Sequence, residues 1–172
     1  AGFAVLGLLN EPSAASIEYG HKNRDAQSAE RVLVYDLGGG TFDVSLVEIE
    51  GKTHSVVASE GVPALGGDDF DILLADLALD AADVGQQERD SLTQREIFHL
   101  HDECRVKKEA LHPNTRKIVV DLGQVRPSWG AVSVPADDFY AKCRPLLEQS
   151  IRATESLLAA NDGEARLSAV YI

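Results

Sequence analysis

The chain has 172 residues, 44% of them hydrophobic, which is enough apolar material for one domain or two small subdomains and too much for a disordered chain. Its 28 acidic residues against 16 basic ones leave a net charge of −12, which argues against nucleic acid or an anionic membrane as a partner. No apolar run approaches the roughly 18 residues of a spanning helix and no signal-peptide pattern is present; Cys104 and Cys143 lack metal-ligand spacing, so buried free thiols in a reducing, cytoplasmic setting are expected.

Val5–Leu9 is short and apolar and predicts a buried strand. Asn10 then offers an N-cap, Glu11-Pro12 opens a helix through Tyr19, and Gly20 is expected to stop it. Glu11 stands at a strand-to-helix junction, where its charge suits the helix N-terminus and is also available to a ligand. Residues 21–31 are polar, of mixed charge, and predict a solvated connection.

Strands are expected at Val32–Asp36, Phe42–Glu50 and Thr53–Ser59, with Gly51-Lys52 as a tight turn, and three strands meeting at tight turns predict an antiparallel meander. Alternation is clear at Phe42, Val44 and Leu46 and slips at Val47 and Ile49, as a bulge or a strand buried on both faces would make it do. Between the first two strands stands Tyr35-Asp36-Leu37-Gly38-Gly39-Gly40-Thr41-Phe42-Asp43. A Gly-Gly-Gly hairpin turn can take φ > 0 and exposes bare amides that converge on a phosphate. Asp36, Thr41 and Asp43 flank it. A carboxylate beside a phosphate repels it unless a cation intervenes, so Mg²⁺ is implied; a plain glycine turn with solvated acids is the alternative.

Gly61–Gly67 predicts a loop, after which Asp68-Asp69 cap a helix through about Leu79. Gly66-Gly67 would leave amides free for a ligand. Glu88–Leu111 predicts one long helix with an apolar stripe at Ile97, Leu100, Cys104 and Leu111. Lys108 projects from that stripe, either snorkelling to its edge or reaching a cleft. His99 and His101 point apart on the helix and read as ordinary edge histidines.

Lys117–Leu122 and Gly130–Pro135 are strand-like, and Asp121-Leu122-Gly123 lacks the further glycines of a second phosphate loop. Asp137–Asn161 predicts a helix with a stripe at Phe139, Cys143, Leu146, Leu147, Ser150, Ile151, Thr154 and Leu158, kinked or started at Pro145. Leu167–Ile172 predicts a returning strand. The blunt ends at Ala1 and Ile172 suggest an excised piece of a longer protein.

Asp36–Asp43 resembles the second phosphate loop of the heat-shock protein 70 (DnaK-type) chaperones, in the actin-like ATPase superfamily. Asn10-Glu11-Pro12-Ser13-Ala14-Ala15, Leu65-Gly66-Gly67-Asp68-Asp69-Phe70-Asp71 and Glu103-Cys104-Arg105-Val106-Lys107-Lys108-Glu109-Ala110-Leu111 fall in the order the resemblance requires. It covers essentially the whole chain, matched to the second lobe of that ATPase domain. The fold it implies is an α/β, ribonuclease-H-like lobe, with a core at 1–74 and 136–172 and an inserted helical plus β subdomain at 75–135.

The resemblance further implies ATP or ADP with Mg²⁺. Gly38, Gly39, Gly40 and Thr41 would cradle phosphates, Asp36 and Asp43 would hold Mg²⁺ through water, and Glu11 would place the attacking water. The Gly66-Gly67-Asp68 loop would face the nucleotide, with Asp68 where the family has Glu. Lys108 would lie beside the adenosine, and Arg105 and His112 stand where the family usually has Glu and Ser. The parent is expected to hydrolyse ATP while gripping unfolded polypeptide, aided by co-chaperones. This chain, without the first lobe and the peptide-binding domain, is expected to bind ATP weakly and be a poor enzyme. A non-hydrolysing regulatory or nucleotide-exchange relative is the alternative, suggested by Arg105 and His112; a sugar or acetate kinase fits the motifs less well.

Overall fold

The computed structural model describes residues 2, 4, 5, 7, 9–22, 30–161 and 167–172. Contacts divide the chain into two compact units, Ala1–Pro63 with Gln149–Ile172, and Ala64–Glu148. Each is mixed α/β, the class expected from the sequence.

The first unit is built on a four-stranded sheet of β1 (Glu30–Leu37), β2 (Thr41–Glu50), β3 (Thr53–Pro63) and β6 (Ala169–Tyr171), in the order β3-β2-β1-β6. The first three form the expected antiparallel meander, and β6 adds a parallel edge beside β1. The ladder slips between Leu46 and Val47, because Val57 on β3 is the extra residue; the slip read at Val47 is therefore a bulge. Val44 to Val47 are also all buried, so β2 is covered on both faces. Strand parity puts Val32, Val34, Val47, Ile49 and Val56 on one face, where they pack with Ala15 and Tyr19 of α1 (Glu11–Lys22). Burying Val32 and Val47 completely is worth about 1.5–3 kcal/mol each. Leu33, Tyr35, Phe42, Val44 and Leu46 take the other face, where Tyr35 stacks at 4.6 Å on Phe42 and its hydroxyl meets Ser150 Oγ at 2.6 Å.

Asn10 caps α1 as expected, its Oδ1 accepting the Ser13 amide at 3.1 Å. Gly20 does not end the helix. It lets His54 close in, since a Cβ there would lie 3.0 Å from the imidazole Cε1. The strand expected over 5–9 lies partly outside the described residues; Val5, Gly7 and Leu9 are in no strand, for none of the sheet's strands pairs with them. The connection expected over 21–31 falls at 23–29 outside the described residues; His21 and Lys22 continue α1 and Glu30 already begins β1.

The second unit packs α2 (Gly67–Ala81), α3 (Gln86–Asp90) and α4 (Gln94–Glu109) with the hairpin β4 (Lys117–Asp121) and β5 (Ala131–Pro135). Its core includes Leu74, Ala78, Leu100, Cys104, Val120 and Val134. Residues of α5 (Ala136–Ala160) enter both units, Phe139 and Cys143 this one and Ser150 the other. The helix runs through Pro145. Its buried face follows Phe139, Cys143, Ser150, Ala153 and Leu157, so Leu147 and Ile151, expected inside, are 43% and 50% exposed.

The single helix expected over 88–111 is two. Thr93 accepts the Glu96 amide and Glu96 accepts the Thr93 amide, a capping box that restarts the helix after Ser91-Leu92. The Asp121-Leu122-Gly123 triplet is a 3-10 turn in which Asp121 accepts the Gly123 amide, in keeping with its rejection as a phosphate loop.

Candidate functional site

In the first unit, Asp36 and Asp43 are direct partners across the β1–β2 ladder, next to the Leu37–Phe42 pair that closes the turn, so their side chains leave the same face of the sheet. Thr41 and Gly61 share that face, Thr41 two residues before Asp43 and Gly61 opposite it on β3. Like charges directly opposed in a ladder are destabilising, and an intervening cation removes the penalty. Both carboxylates are open enough to meet solvent.

The glycine triplet works differently from the sequence expectation. Among the described glycines positive φ occurs at Gly2, Gly51 and Gly130, not at Gly38 or Gly40. The Gly38 amide is spent on the turn, donating to the Thr41 carbonyl at 2.9 Å, and a Cβ on Gly38 would sit 3.3 Å from that oxygen. Among the described residues the Gly39 and Gly40 amides have no acceptor, both residues are exposed, and a Cβ on Gly40 would meet nothing within 4 Å. These two are the amides left for an anion.

α1 packs on the same face as the aspartates. Its later turns lie over the far end of the sheet, where Ser16 Oγ pairs with His54 Nδ1 at 3.1 Å. Tyr19 lies against Glu30 there, and burial together with that carboxylate raises its pKa. Glu11 heads the first turn of α1 and is exposed.

Two opposed carboxylates at an open turn fit a hard ion that keeps most of its waters. They do not fit a fully protein-caged metal such as structural zinc.

The second unit holds the other expected residues. Gly66 caps α2 in an extended conformation, and its amide donates to Asp69 Oδ2 at 2.8 Å, so that amide is not free for a ligand as expected. Asp68 is exposed in the first turn, whereas Asp71 is buried to 3%. Lys108 does project from the apolar side of α4. Its Nζ donates to the Gly67 carbonyl at 2.6 Å and lies 2.6 Å from Asp71 Oδ1. Asp71 Oδ1 has no aligned hydrogen bond, so that contact is ionic. Arg105 pairs along its own helix with Asp102 at 2.6 Å and Glu109 at 3.8 Å, and the Asp102 hydrogen bond leads in raising its pKa. The His112 amide donates to Thr115 Oγ1 at 3.0 Å in the turn after α4.

Cys104 and Cys143 are free and buried, as expected. Burial pushes the Cys104 thiol up to about 12, with Asp71 and Glu103 adding to it, and burial pushes Cys143 up to about 11. No described helix is long and apolar enough to cross a membrane.

Two residues escaped the sequence reading. Gly61, taken as the start of a loop, lies inside β3, where a lone glycine in a strand pattern was the available signal. Asp71, an acid among the apolar positions Phe70, Leu74 and Ala75, gave a signal of burial but none of its pairing with Lys108.

The family model described as Hsp70 protein matches residues 1–170. The chaperone protein HscA of Photorhabdus laumondii is 35% identical over 92% of this chain and 24% of its own length. An HscA homolog of Burkholderia cenocepacia is 38% identical over the same shares, and the heat shock cognate HSP70 protein of Trypanosoma brucei brucei is 40% identical over 70% of the chain and 18% of its own length. The chain spans about a quarter of the length of such relatives.

Proposed function

The chain belongs to the Hsp70 family, and from that premise we propose that its parent protein binds and hydrolyses ATP, with this chain supplying one lobe of the nucleotide site. The core subdomain of that lobe would be 1–74 with 136–172, and the insertion 75–135. The observation that carries the reading is the Asp36–Asp43 pair beside an exposed glycine turn with two amides that have no acceptor among the described residues.

Phosphoryl transfer asks a protein for positioning and charge neutralisation more than for covalent chemistry. The Gly39 and Gly40 amides would donate to phosphate oxygens, and the Thr41 hydroxyl would add a donor beside them. Asp36 and Asp43 would accept hydrogen bonds from the water shell of Mg²⁺. That ion, when bound, neutralises charge on the phosphates. Glu11 would accept a hydrogen bond from the attacking water and so orient it. In the other unit, Lys108 and the neighbouring Arg105 and His112 would lie on the adenosine side, and Gly66, Gly67 and Asp68 would face the nucleotide. Unfolded polypeptide and co-chaperones would be partners of the whole protein.

The test is steady-state ATPase activity of the full-length protein with and without Glu11→Ala. Slow Mg²⁺-dependent turnover, reduced at least a hundredfold by the substitution, is expected from loss of a positioning group. Equal turnover in both proteins would remove Glu11 from the site, and no turnover in either, with both folded, would remove hydrolysis.

A further inference from the structure

The positions 36, 43 and 61 form one row across three adjacent strands, on the face carrying the proposed phosphate site. Opposed carboxylates repel, so Asp43 gains by leaning away from Asp36, toward β3. It can do so only because residue 61 has no side chain. A Cβ there would stand 2.7 Å from Asp43 Oδ1, closer than real Cβ atoms approach an oxygen, and 3.3 Å from the Phe42 carbonyl. Backbone freedom is not the reason for this glycine, since its φ is not positive. Glycine inside a strand costs stability through chain entropy and lost packing. What Gly61 provides is space for a carboxylate.

We propose that Gly61 is a positioning residue for the Asp36–Asp43 pair: the missing side chain fixes where the Asp43 carboxylate stands and thereby holds open a gap suited to a hydrated divalent cation. This rests on the metal reading above. Gly61→Ala pushes Asp43 Oδ1 out of its place and narrows that gap. Because the displaced atom ends a short side chain, the fold itself yields easily.

The experiment is a calorimetric titration of the full-length protein with ADP, with and without Mg²⁺, for wild type, Gly61→Ala, Asp43→Ala and the double variant, with thermal unfolding of all four. Gly61→Ala is expected to weaken the Mg²⁺-dependent part of ADP affinity about tenfold, the scale on which groups that orient metal ligands act. Metal-free ADP affinity should be unchanged. In the Asp43→Ala background the same substitution should have no effect on affinity and should cost no stability, because its collision partner is gone.

Should Asp43→Ala abolish the Mg²⁺ effect while Gly61→Ala leaves it intact, the Gly61 proposal is overturned and the metal reading stands. Should Asp43→Ala itself leave the Mg²⁺ effect intact, the metal reading falls and takes the proposal with it. A stability loss from Gly61→Ala that persists without Asp43 would trace the conflict to the Phe42 carbonyl, and also overturns the proposal.

Discussion

Lys108 donates to the Gly67 carbonyl and pairs ionically with the Asp71 carboxylate, and so fastens α4 to the start of α2. Its side chain is 20% exposed and that of Asp71 5%. Removing one member of such a pair leaves a carboxylate desolvated and unpaired, which costs more than the pair was worth. Lys108→Ala should therefore lower unfolding free energy by about 3 kcal/mol in urea titrations of this chain. An unchanged midpoint, with only nucleotide affinity falling in the full-length protein, would mean that the ammonium serves a ligand alone. The helical period was enough to place Lys108 on the apolar side, since that depends on spacing within one helix. Asp71 as its partner was not legible, because pairing across helices depends on packing. Gly61 was hidden for the same reason: its use is the carboxylate of Asp43 on another strand.

At the scale of the element, the start of α4 concentrates several interactions on Glu96. It accepts from the Thr93 amide and hydroxyl, and from Arg126 Nε at 2.7 Å. Arg126 also stacks 5.1 Å from the centre of the Trp129 ring. Those hydrogen bonds, Arg126 first, lower the Glu96 pKa from 4.5 to about 2. A carboxyl whose folded pKa is depressed stabilises the fold fully above its unfolded value and loses that contribution as the pH falls. The loss for Glu96 thus lies between about pH 4.5 and about pH 2. Glu96→Gln should flatten the decline of stability across that window, and Thr93→Ala should cost about 1 kcal/mol at neutral pH. Both are read from urea midpoints; identical acid slopes in wild type and Glu96→Gln would contradict the pairing. The Thr-Gln-Arg-Glu capping signature was present in the sequence, and the apolar stripe at Ile97, Leu100, Cys104 and Leu111 begins only after it. The helix break was therefore readable and missed. In α5 the expected stripe drifted because Leu147 and Ile151 are apolar yet exposed, and hydrophobicity alone does not say which face is covered.

At the scale of the molecule, the α/β class and the meander followed from short apolar runs and tight turns. The opposition of Asp36 and Asp43 was not read from the sequence, although a short turn fixes register and register fixes faces. The parallel pairing of β6 with β1 did not follow, since it joins opposite ends of the chain. Membership of the Hsp70 family rests on matches along the whole chain, while the chemistry proposed for it is concentrated at one end of one sheet. The most direct measurement is a crystal structure of the full-length protein grown with Mg²⁺ and ADP. The account predicts the metal facing Asp36 and Asp43 through its waters, with phosphate oxygens at the Gly39 and Gly40 amides. Phosphates bound away from this turn, or a metal held by other residues, would contradict it.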